Sequence, residues 1–422
     1  LWFEQAIRLG SQSGVIALAE LYYQQGQLTK VQATLDKLPY VLTNNSLAES
    51  ALLLRLKMAI DLGDIRRVKT LLNSDVFKLA SSSKMGSLLA DIDKYSIIDQ
   101  KADFTNIQQL NSSTCTSSLQ LFATNIKHLK HIELLIKRFK AQQPLAKYIC
   151  LATPRYISLE SLACTAKRHE AISCDEAIWK SIAKRVDSRH IGLMLKEGGA
   201  NVHMGILYFD TKDNINVFSH EISHLLGFVD EYPLIKTHDK CRSVQSKNFS
   251  HNIAVLKKYY QGDKKSVRSS ILKNIPWAAS IKTSTPILQE AVKGENNESY
   301  WRLGTPVAFL DKVGVHSAES CERATEDNQV DSARVGIGFS AFKPISRRTQ
   351  LRYFSSDFPQ EYLTLLQRNP KAYLMPSFHY NIAYALFLQG QSIDAKYWLD
   401  QAAKWEDGPL KKLTILKGEF NN

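Results

Sequence analysis

The sequence predicts an α+β protein, in which a central domain with a mixed sheet and one amphipathic helix is flanked by helical segments at both ends. Apolar residues recur at helical spacing near both termini, and short strand-like runs lie between residues 113 and 210. A strongly patterned helix follows the last of these runs. With 422 residues, of which 44% are hydrophobic, the chain has room for two to four domains with sizeable cores.

Residues 1–80 are predicted to form pairs of helices. Apolar helical stretches end near Gly26 and Gly63, and a second amphipathic stretch follows each glycine. The glycines lie about one tetratricopeptide period apart, so these pairs resemble TPR or Sel-type repeats, with plain helical hairpins as the alternative. The same pattern returns around Gly390, and we expect residues 366–422 to form a TPR-like helical hairpin. Such repeats stack because none buries its apolar face alone, and they imply a protein partner.

The predicted central domain spans residues 113–365 and follows a linker over 81–112. The linker is rich in serine, lysine and aspartate and has weak periodicity. Four strand-like runs and one amphipathic helix open the domain. The strands are predicted over 119–123, 148–152, 190–195 and 202–209, and the helix over 126–141. After Pro233 the pattern is irregular as far as Pro344, and residues 347–354 are expected to return to the core.

One segment carries the pattern HExxHxxGxxD, which points to a metal centre. His220 and His224 are one helical turn apart, so both imidazoles can reach one ion from the same helix face. Glu221 stands beside the first histidine, where its carboxylate can take a proton from activated water. Gly227 lets the chain leave the helix through a left-handed turn that can bring Asp230 back as a third ligand. Three protein ligands and one position open to water are what a hydrolytic zinc site needs.

The residues around the motif have the features of a helix anchored in a core. Asp213 and Asn214 are good N-cap residues, and an apolar stripe follows at roughly helical spacing. The stripe consists of Ile215, Phe218, Ile222, Leu225 and Leu226. The two histidines fall off this stripe and are expected to face a cleft. The alternative is a pair of satisfied histidines within a buried amphipathic helix.

The motif resembles that of the zincins, in particular the metzincin-like metallopeptidases, some of which have aspartate as the third ligand. The resemblance implies a zincin-like catalytic domain with Zn²⁺ as its cofactor. It implies His220, His224 and Asp230 as metal ligands and Glu221 as the general base. Metzincins also carry a methionine turn beneath the metal. Because this chain has no methionine between His224 and Met375, either another residue builds the turn or the chain is a zincin outside the strict metzincin group.

The identity of the third ligand has alternatives. They are Glu231, His238, His251 and His316. We prefer Asp230 because of its spacing from Gly227. An aspartate ligand would leave the zinc a weaker Lewis acid than a third imidazole would, so Glu221 would have to contribute more to the activation of water.

The resemblance also indicates how a substrate would be held. In zincins the last strand before the active-site helix borders the cleft and pairs with the substrate backbone, so 202–209 or its neighbour would hold a peptide here. A tyrosine often supports the tetrahedral oxyanion, and Tyr232 and Tyr353 are candidates. Tyr232 lies in Glu231-Tyr232-Pro233, which extends the motif to a D-E-Y ending found in some bacterial zincins.

The cysteines indicate in which cellular compartment the protein is found. They are Cys115, Cys150, Cys164, Cys174, Cys241 and Cys321. No CxxC pair is present, which argues against a second zinc site built from thiolates. Their even number suits an oxidising compartment with up to three disulfides, one of which, Cys241–Cys321, could staple the irregular segment; buried free thiols in a cytosolic protein are the alternative. The chain begins inside a helical pattern without methionine, so we expect a processed, periplasmic or secreted protein that has lost a signal peptide.

Charge and hydropathy exclude some partners. Lysine and arginine total 54 against 41 aspartate and glutamate residues, a net charge of +13 that favours acidic surroundings. The basic residues are scattered and mostly decorate helix faces, and no basic motif is interleaved with aromatic residues, so no nucleic-acid partner is expected. No apolar run is long enough to predict a transmembrane span.

The predicted function is therefore that of a zinc metallopeptidase, a metalloendopeptidase acting on peptide or protein substrates. No glycine-rich phosphate loop or GxSxG elbow competes with this interpretation. Two alternatives stay open, a TPR-like binding scaffold with a structural or inactive metal site and an amidase acting on cell-wall peptides. A fourth coordination position closed to water would favour the scaffold.

Overall fold

A computed structural model describes most of the chain. The described residues are 2–39, 42, 44–78, 82–98, 115–165, 167, 170–235, 237–290, 300–323 and 338–419. Helices and strands are combined around a central mixed sheet, which confirms the predicted combination of α and β structure.

Helices fill the N-terminal part of the chain. In the described residues they are α1 Trp2–Arg8, α2 Gln12–Gln24, α3 Leu28–Leu35, α4 Asn45–Asp61, α5 Ile65–Leu72, α6 Asp75–Lys78 and α7 Ser83–Lys94. The pairs α2–α3 and α4–α5 turn at Gly26 and Gly63, both with positive φ. Helices α4, α5 and α7 bury Leu56, Val68 and Leu88 in the same core as the central sheet. The N-terminal helices therefore support one side of the sheet.

Helix α7 lies where the sequence predicts a linker, and that part of the prediction is wrong. Met85, Leu88 and Ile92 recur at helical spacing and are all buried. Ser82 caps the helix, because its hydroxyl accepts a hydrogen bond from Met85 N at 3.2 Å. Packing on the core therefore stabilises a helix whose polar composition conceals it. The rest of the predicted linker, 99–112, lies outside the described residues.

Strands follow, with helices between them. They are β1 Ser117–Ala123, β2 Ile149–Leu151, β3 Arg155–Tyr156, β4 Cys164–Thr165, β5 Ser173–Cys174, β6 His190–Leu195, β7 Asn201–His203 and β8 Ile206–Asp210; the helices are α8 Ile126–Gln142 and α9 Lys180–Ala183. The central sheet has the order β2-β1-β6-β8-β7, and β3 also pairs with β1. All its pairs are parallel except β7–β8, so β7 is an antiparallel edge strand. Strands β4 and β5 pair separately.

Three of the four predicted strands of the sheet, and helix α8, lie close to their predicted bounds. The prediction of one strand over 202–209 is wrong, because the segment is the hairpin β7–β8. Met204 and Gly205 have φ of 42° and 87° and form its two-residue turn. A methionine at positive φ is uncommon. Of the two turn positions, only Gly205 has a residue type that is typical of such hairpins, so the sequence does not predict the turn.

The faces of the sheet bury two different cores. In β8, Leu207 and Phe209 pack with α8 and with the helix that carries the motif, α10 Ile215–Leu225. Ile206 and Tyr208 point the other way and pack with Trp398 and its neighbours in the C-terminal helices. Alternation along the strand thus produces a layered arrangement with helices on both faces.

Two small sheets follow α10. Their strands are β9 Ala254–Lys257, β10 Tyr259–Gln261, β11 Leu288–Glu290, β12 Tyr300–Leu303, β13 His316–Ser317 and β14 Phe339–Lys343, and α11 spans Lys264–Lys273. The strand orders are β13-β14-β9 and β10-β12-β11. The segment after Pro233 is predicted to be irregular, but it contains these strands and a helix. The sequence does not reveal the strands, because they are too short to show a clear alternation of apolar and polar residues.

The C-terminal helices complete the fold. They are α12 Gln360–Arg368, α13 Phe378–Leu388, α14 Ser392–Ala403 and α15 Pro409–Leu416. Helices α13 and α14 form the predicted helix pair, and Phe378, Ile382 and Trp398 are buried in the core on the second face of the sheet. Helices α13 and α14 thus form part of the helical layer on the second face of the sheet. None of the helices in the described ranges has both the length and the hydropathy needed to cross a bilayer.

The six cysteines form three disulfides, which confirms that part of the prediction. The pairs are Cys115–Cys150, Cys164–Cys174 and the predicted Cys241–Cys321. The third closes a loop with a sequence separation of 80 residues, against 10 for the second. A longer loop restricts the unfolded chain more.

Replacing both Cys241 and Cys321 by serine should lower the free energy of unfolding by about 4 kcal/mol, because the unfolded chain regains the entropy of the long loop. The matched change at Cys164 and Cys174 should cost less, about 3 kcal/mol. Urea titration measures both. Alkylation of any of the six cysteines without reductant, detected by intact mass, would contradict the pairing.

Candidate metal centre

Helix α10 is placed by its cap and by its apolar face. The Asn214 side chain accepts hydrogen bonds from Asn216 N and Val217 N, so it is the N-cap, as predicted. Phe218, Ile222 and Leu225 are buried in the core with the sheet, while the opposite side of the helix carries the polar part of the motif. The helix is therefore held in one rotation about its axis, which decides where its histidines point.

The helix ends in a Schellman turn at Gly227. Gly227 N donates to His224 O at 3.0 Å, and Phe228 N donates to Ser223 O at 3.1 Å. Gly227 has φ of 91°, and a Cβ on it would overlap the carbonyl of Tyr373. Two requirements, a left-handed backbone and a close approach, thus select glycine here. The turn sends the chain back towards the histidines.

His220, His224 and Asp230 come together after this turn. The two Nε2 atoms lie 3.1 Å apart, and Asp230 Oδ1 lies 3.1 Å from that of His220 and 3.3 Å from that of His224. Among the residues that the structure describes, this is the one group of three such side chains with convergent ligand atoms. The structure thus brings together the three predicted ligands.

The other ring nitrogens determine the tautomer of each imidazole. His220 Nδ1 lies 2.9 Å from Gln350 O, and His224 Nδ1 lies 3.0 Å from Phe228 O. A carbonyl oxygen only accepts, so each Nδ1 carries the proton and, in a neutral ring, each Nε2 presents a lone pair. Asp230 Oδ1 is buried and has no hydrogen-bond partner. Three lone pairs therefore face one another.

The arrangement fits a divalent cation. Tetrahedral zinc with bonds of about 2.0–2.1 Å separates its ligand atoms by about 3.3 Å, close to the separations here. Two imidazoles and one carboxylate are also donors that zinc accepts. The side chains of His224 and Asp230 keep 13% and 16% of their surface exposed, against 1% for His220. The group is thus largely buried, and its exposed parts belong to His224 and Asp230.

In the metal-free protein a proton can take the place of the cation. Burial lowers the pKa of His224, but the Asp230 carboxylate and Glu221 outweigh it and raise the pKa to about 9. Burial works in the opposite direction on Asp230, and the two imidazoles hold its pKa well below the usual range. Metal and proton therefore compete for the same lone pairs.

Glu221 lies beside this group in a nearly dry position. Its side chain is 6% exposed. Burial raises the pKa of Glu221, and the two histidines oppose the rise. In the described part of the chain no group donates a hydrogen bond to its carboxylate. The oxygens are thus available to accept a proton from water, with a basicity above that of an exposed glutamate.

Glu231, an alternative ligand, is fully engaged elsewhere. Lys343 Nζ lies 2.6 Å from its Oε2, and the Tyr362 hydroxyl and Asn252 donate to its Oε1. The ion pair is buried, with both side chains no more than 7% exposed. Glu231 therefore anchors the backbone directly after Asp230 and does not turn towards the histidines.

The alternative histidines also lie outside the group. The His251 ring packs between those of Phe228 and Tyr373 at 5.0 and 4.9 Å. His316 Nε2 lies 3.0 Å from Lys312 O. His238 is half-buried, and its Nδ1 accepts from Lys240 N at 3.3 Å. Of the candidates named from the sequence, Asp230 is the one whose position suits a third ligand.

The two candidate tyrosines differ in position. The Tyr232 ring is stacked on the His220 ring with centroids 6.5 Å apart. Burial and the nearby Asp230 carboxylate raise the pKa of Tyr232 well above its usual value, so its hydroxyl stays protonated. Tyr353 is 39% exposed and stacks with Arg348 and Arg352. Tyr232 is therefore the tyrosine placed at the metal group.

The loop after β14 contacts His220 through Gln350 and Phe354. Gln350 and Leu351 are buried, as expected for the return of residues 347–354 to the core, and Gln350 O accepts from His220. The Phe354 ring contacts the His220 ring edge-on, with centroids 4.6 Å apart. Met375 lies at the end of α10, where its N donates to Leu225 O at 3.2 Å. Sequence reasoning missed Gln350, because a backbone carbonyl leaves no mark on residue type.

The expected substrate strand is partly occupied. Strand β7 lies at the edge of the sheet, where a peptide could pair with it. However, Asn381 of α13 donates a hydrogen bond to His203 O at 3.1 Å. The Asn201 side chain also bonds to Ile172 O. Less of this edge is therefore open to a peptide than the resemblance implies.

Comparisons of the chain with protein-family models, with curated proteins and with solved structures found no match. The interpretation of the site therefore depends on its motif and its geometry.

Zinc binding to the metal-free protein at pH 7 should release about one proton, because His224 is protonated below about pH 9 and binds a metal as the neutral imidazole. The apparent affinity should rise about tenfold per pH unit from pH 7 to pH 9 and then level off. Calorimetric titration in buffers of different ionisation enthalpy measures both quantities. Asp230→Asn should weaken binding and reduce the proton release; an unchanged release in that variant would contradict the assignment.

Gly227→Ala should destabilise the protein by about 3 kcal/mol or more, because left-handed strain adds to overlap with Tyr373. Gly390→Ala is the matched control, since Gly390 also has positive φ (74°) but no atom lies within 4 Å of its Cβ position. That change should cost about 1–2 kcal/mol. Thermal unfolding of the two variants gives the comparison, and equal losses would show that the contact with Tyr373 is unimportant.

Proposed function

We propose that this protein is a zinc-dependent peptidase, with His220, His224 and Asp230 as metal ligands and Glu221 as the general base. The observation that carries the proposal is the convergence of three lone pairs beside a buried carboxylate. A cation would satisfy all three lone pairs at once, whereas in the metal-free protein the single Nε2 proton of His224 can be donated to Asp230 or to His220. The motif, with the Glu221 carboxylate beside three protein ligands rather than four, favours catalysis over a structural metal site.

The residues divide the chemistry of hydrolysis between them. A bound zinc ion would supply Lewis acidity and lower the pKa of water. Glu221 accepts a proton from the attacking water and passes it to the leaving amine. Tyr232 remains protonated and can donate a hydrogen bond to the developing oxyanion. The Gln350 and Phe228 carbonyls keep the imidazoles in the orientation that the reaction needs.

The topology supports a zincin-like domain. The motif helix is preceded by strand β1, helix α8 and further strands of a mixed sheet, and such an order is compatible with a zincin-like domain. The loop from Gln350 to Phe354 would replace the methionine turn, because it contacts His220 from behind. The partly occupied edge of β7 argues for substrates that do not need a long stretch of strand pairing.

A second role, in binding a protein partner, is favoured by the surface of the C-terminal helices. Three exposed apolar side chains lie at the turn between α13 and α14: Phe387, Leu388 and Ile393 are 63%, 66% and 89% exposed. If these helices are TPR-like repeats, they would hold a partner near the cleft. As a pure scaffold the protein would bind that partner without hydrolysing it.

The three disulfides favour an oxidising compartment. We therefore place the protein in the periplasm or outside the cell, where its substrates would be peptides or proteins. This assignment agrees with the site, since zinc peptidases need no reducing environment.

Glu221→Gln should retain one zinc ion per chain and lower kcat/KM for peptide hydrolysis by about 10²–10⁴-fold, because the amide cannot accept a proton. In the wild type, activity should fall on the acid side as Glu221 becomes protonated, and burial raises the pKa of that group above its ordinary value. The residual activity of the variant should lack this limb.

Glu20→Gln, an exposed change on α2, is the control and should leave the profile unchanged. Metal analysis and a general peptidase assay on the three proteins complete the test. Wild-type protein that binds no stoichiometric zinc, or a Glu221→Gln variant with full activity, would overturn the proposal. Stoichiometric iron in place of zinc would point to a different chemistry of the same donors.

A further inference from the structure

A short helical turn, Asp239–Cys241, is tied to the metal group by covalent and hydrogen bonds. Cys241 forms the disulfide with Cys321. Cys241 Sγ lies 3.5 Å from Ser320 O, and the Ser320 hydroxyl donates to Asp230 O at 2.7 Å. Val229, Phe249 and Cys241 also share one small apolar cluster. The turn therefore has a fixed position beside the third ligand.

Lys240 extends from this turn without an acidic partner of its own. Its Nζ lies 5.2 Å from the centroid of the Phe249 ring. The neighbouring carboxylate, Asp239, is paired with Arg242 at 3.1 Å. In the described ranges no carboxylate lies within ion-pair distance of Lys240. Its side chain is half-buried, so water neutralises little of its charge.

Electrostatics relates this ammonium to the metal group. Burial lowers the pKa of Lys240 to about 8, and Asp230 is the carboxylate that opposes the shift. When Asp230 binds a cation, its negative charge is neutralised, and the attraction between Asp230 and the Lys240 ammonium is lost. An anion bound at Nζ would replace this attraction and stabilise the half-buried ammonium.

We propose that Lys240 binds a carboxylate of the substrate next to the scissile bond, so that the enzyme prefers peptides with an acidic group at that position. This inference rests on the proposed peptidase function and names its substrate class. The carboxylate can be the C-terminal group of a short peptide or the side chain of aspartate or glutamate. In either case its oxygens would accept hydrogen bonds from Nζ, and the phenyl ring of Phe249 would line the same subsite.

Lys240→Met removes the charge and keeps the length of the side chain. For peptides that carry the carboxylate we expect KM to rise about ten- to hundredfold, the effect of a charge-assisted hydrogen bond, with kcat and zinc content nearly unchanged. Lys240→Arg should restore most of the affinity. Lys247→Met, which removes an exposed charge from the same segment, should have no effect.

Three peptide series separate the sources of the carboxylate. One has a free C-terminus, one has the C-terminal amide, and one has internal Asp and Glu replaced by Asn and Gln. Loss of the Lys240 effect with the amide identifies the terminal carboxylate, whereas its loss with Asn and Gln identifies a side chain. Equal KM values for wild type and Lys240→Met in all series would overturn the proposal. So would a loss of kcat for every series, which would place the ammonium at the scissile carbonyl.

Calorimetric binding of the same peptides to the zinc-loaded protein tests Lys240 independently of turnover. If the wild type cleaves no peptide yet binds the acidic ones through Lys240, the peptidase proposal fails and the carboxylate subsite stands. If it cleaves peptides and Lys240→Met binds them normally, the subsite fails and the peptidase proposal stands.

Discussion

Two hydrogen bonds to backbone carbonyls control the metal group. Phe228 O and Gln350 O each accept the Nδ1 proton of one histidine, and this leaves both Nε2 lone pairs facing Asp230 Oδ1. The two carbonyls are themselves linked to the third ligand. Phe228 belongs to the turn that leads to Asp230, and Leu351 O accepts from Glu231 N at 3.0 Å. A shift of either segment would therefore turn a ligand away, so the chemistry depends on backbone placement as much as on the histidines.

The buried pair of Glu231 and Lys343 has a geometric role. Removing two charges from water cancels most of their attraction, so such a pair contributes little net stability. Glu231 directly follows Asp230 in the chain, and it is bound to β14 through Lys343 and to α12 through Tyr362. We infer that the pair fixes the register of the segment that carries the third ligand. Without these bonds, hydrophobic packing alone would leave Asp230 less precisely placed, because apolar contacts have little directionality.

The sequence was informative where local pattern and chemistry coincide. Helical spacing on α10, the Asn214 cap and the HExxHxxGxxD pattern predicted that His220, His224 and Asp230 come together, and they do. It was uninformative where the answer lies in distant contacts. Gln350 acts through its backbone, α7 depends on packing against the sheet, and the hairpin turn at Met204 uses an uncommon residue. Two of the partners of Glu231, Lys343 and Tyr362, are more than a hundred residues away along the chain, so no local signal separates Glu231 from Asp230.

The contact of Tyr373 with Gly227 has a consequence for biosynthesis. The motif helix is synthesised long before Tyr373, which contacts the turn at its end. Gly205 is likewise synthesised long before Pro376 and Phe378, which lie against it. A nascent chain that has already emerged with both histidines therefore lacks the segment that packs against the turn at Gly227. The turn at Gly227 gains this contact only after residue 373 has been synthesised, more than a hundred residues after the motif helix.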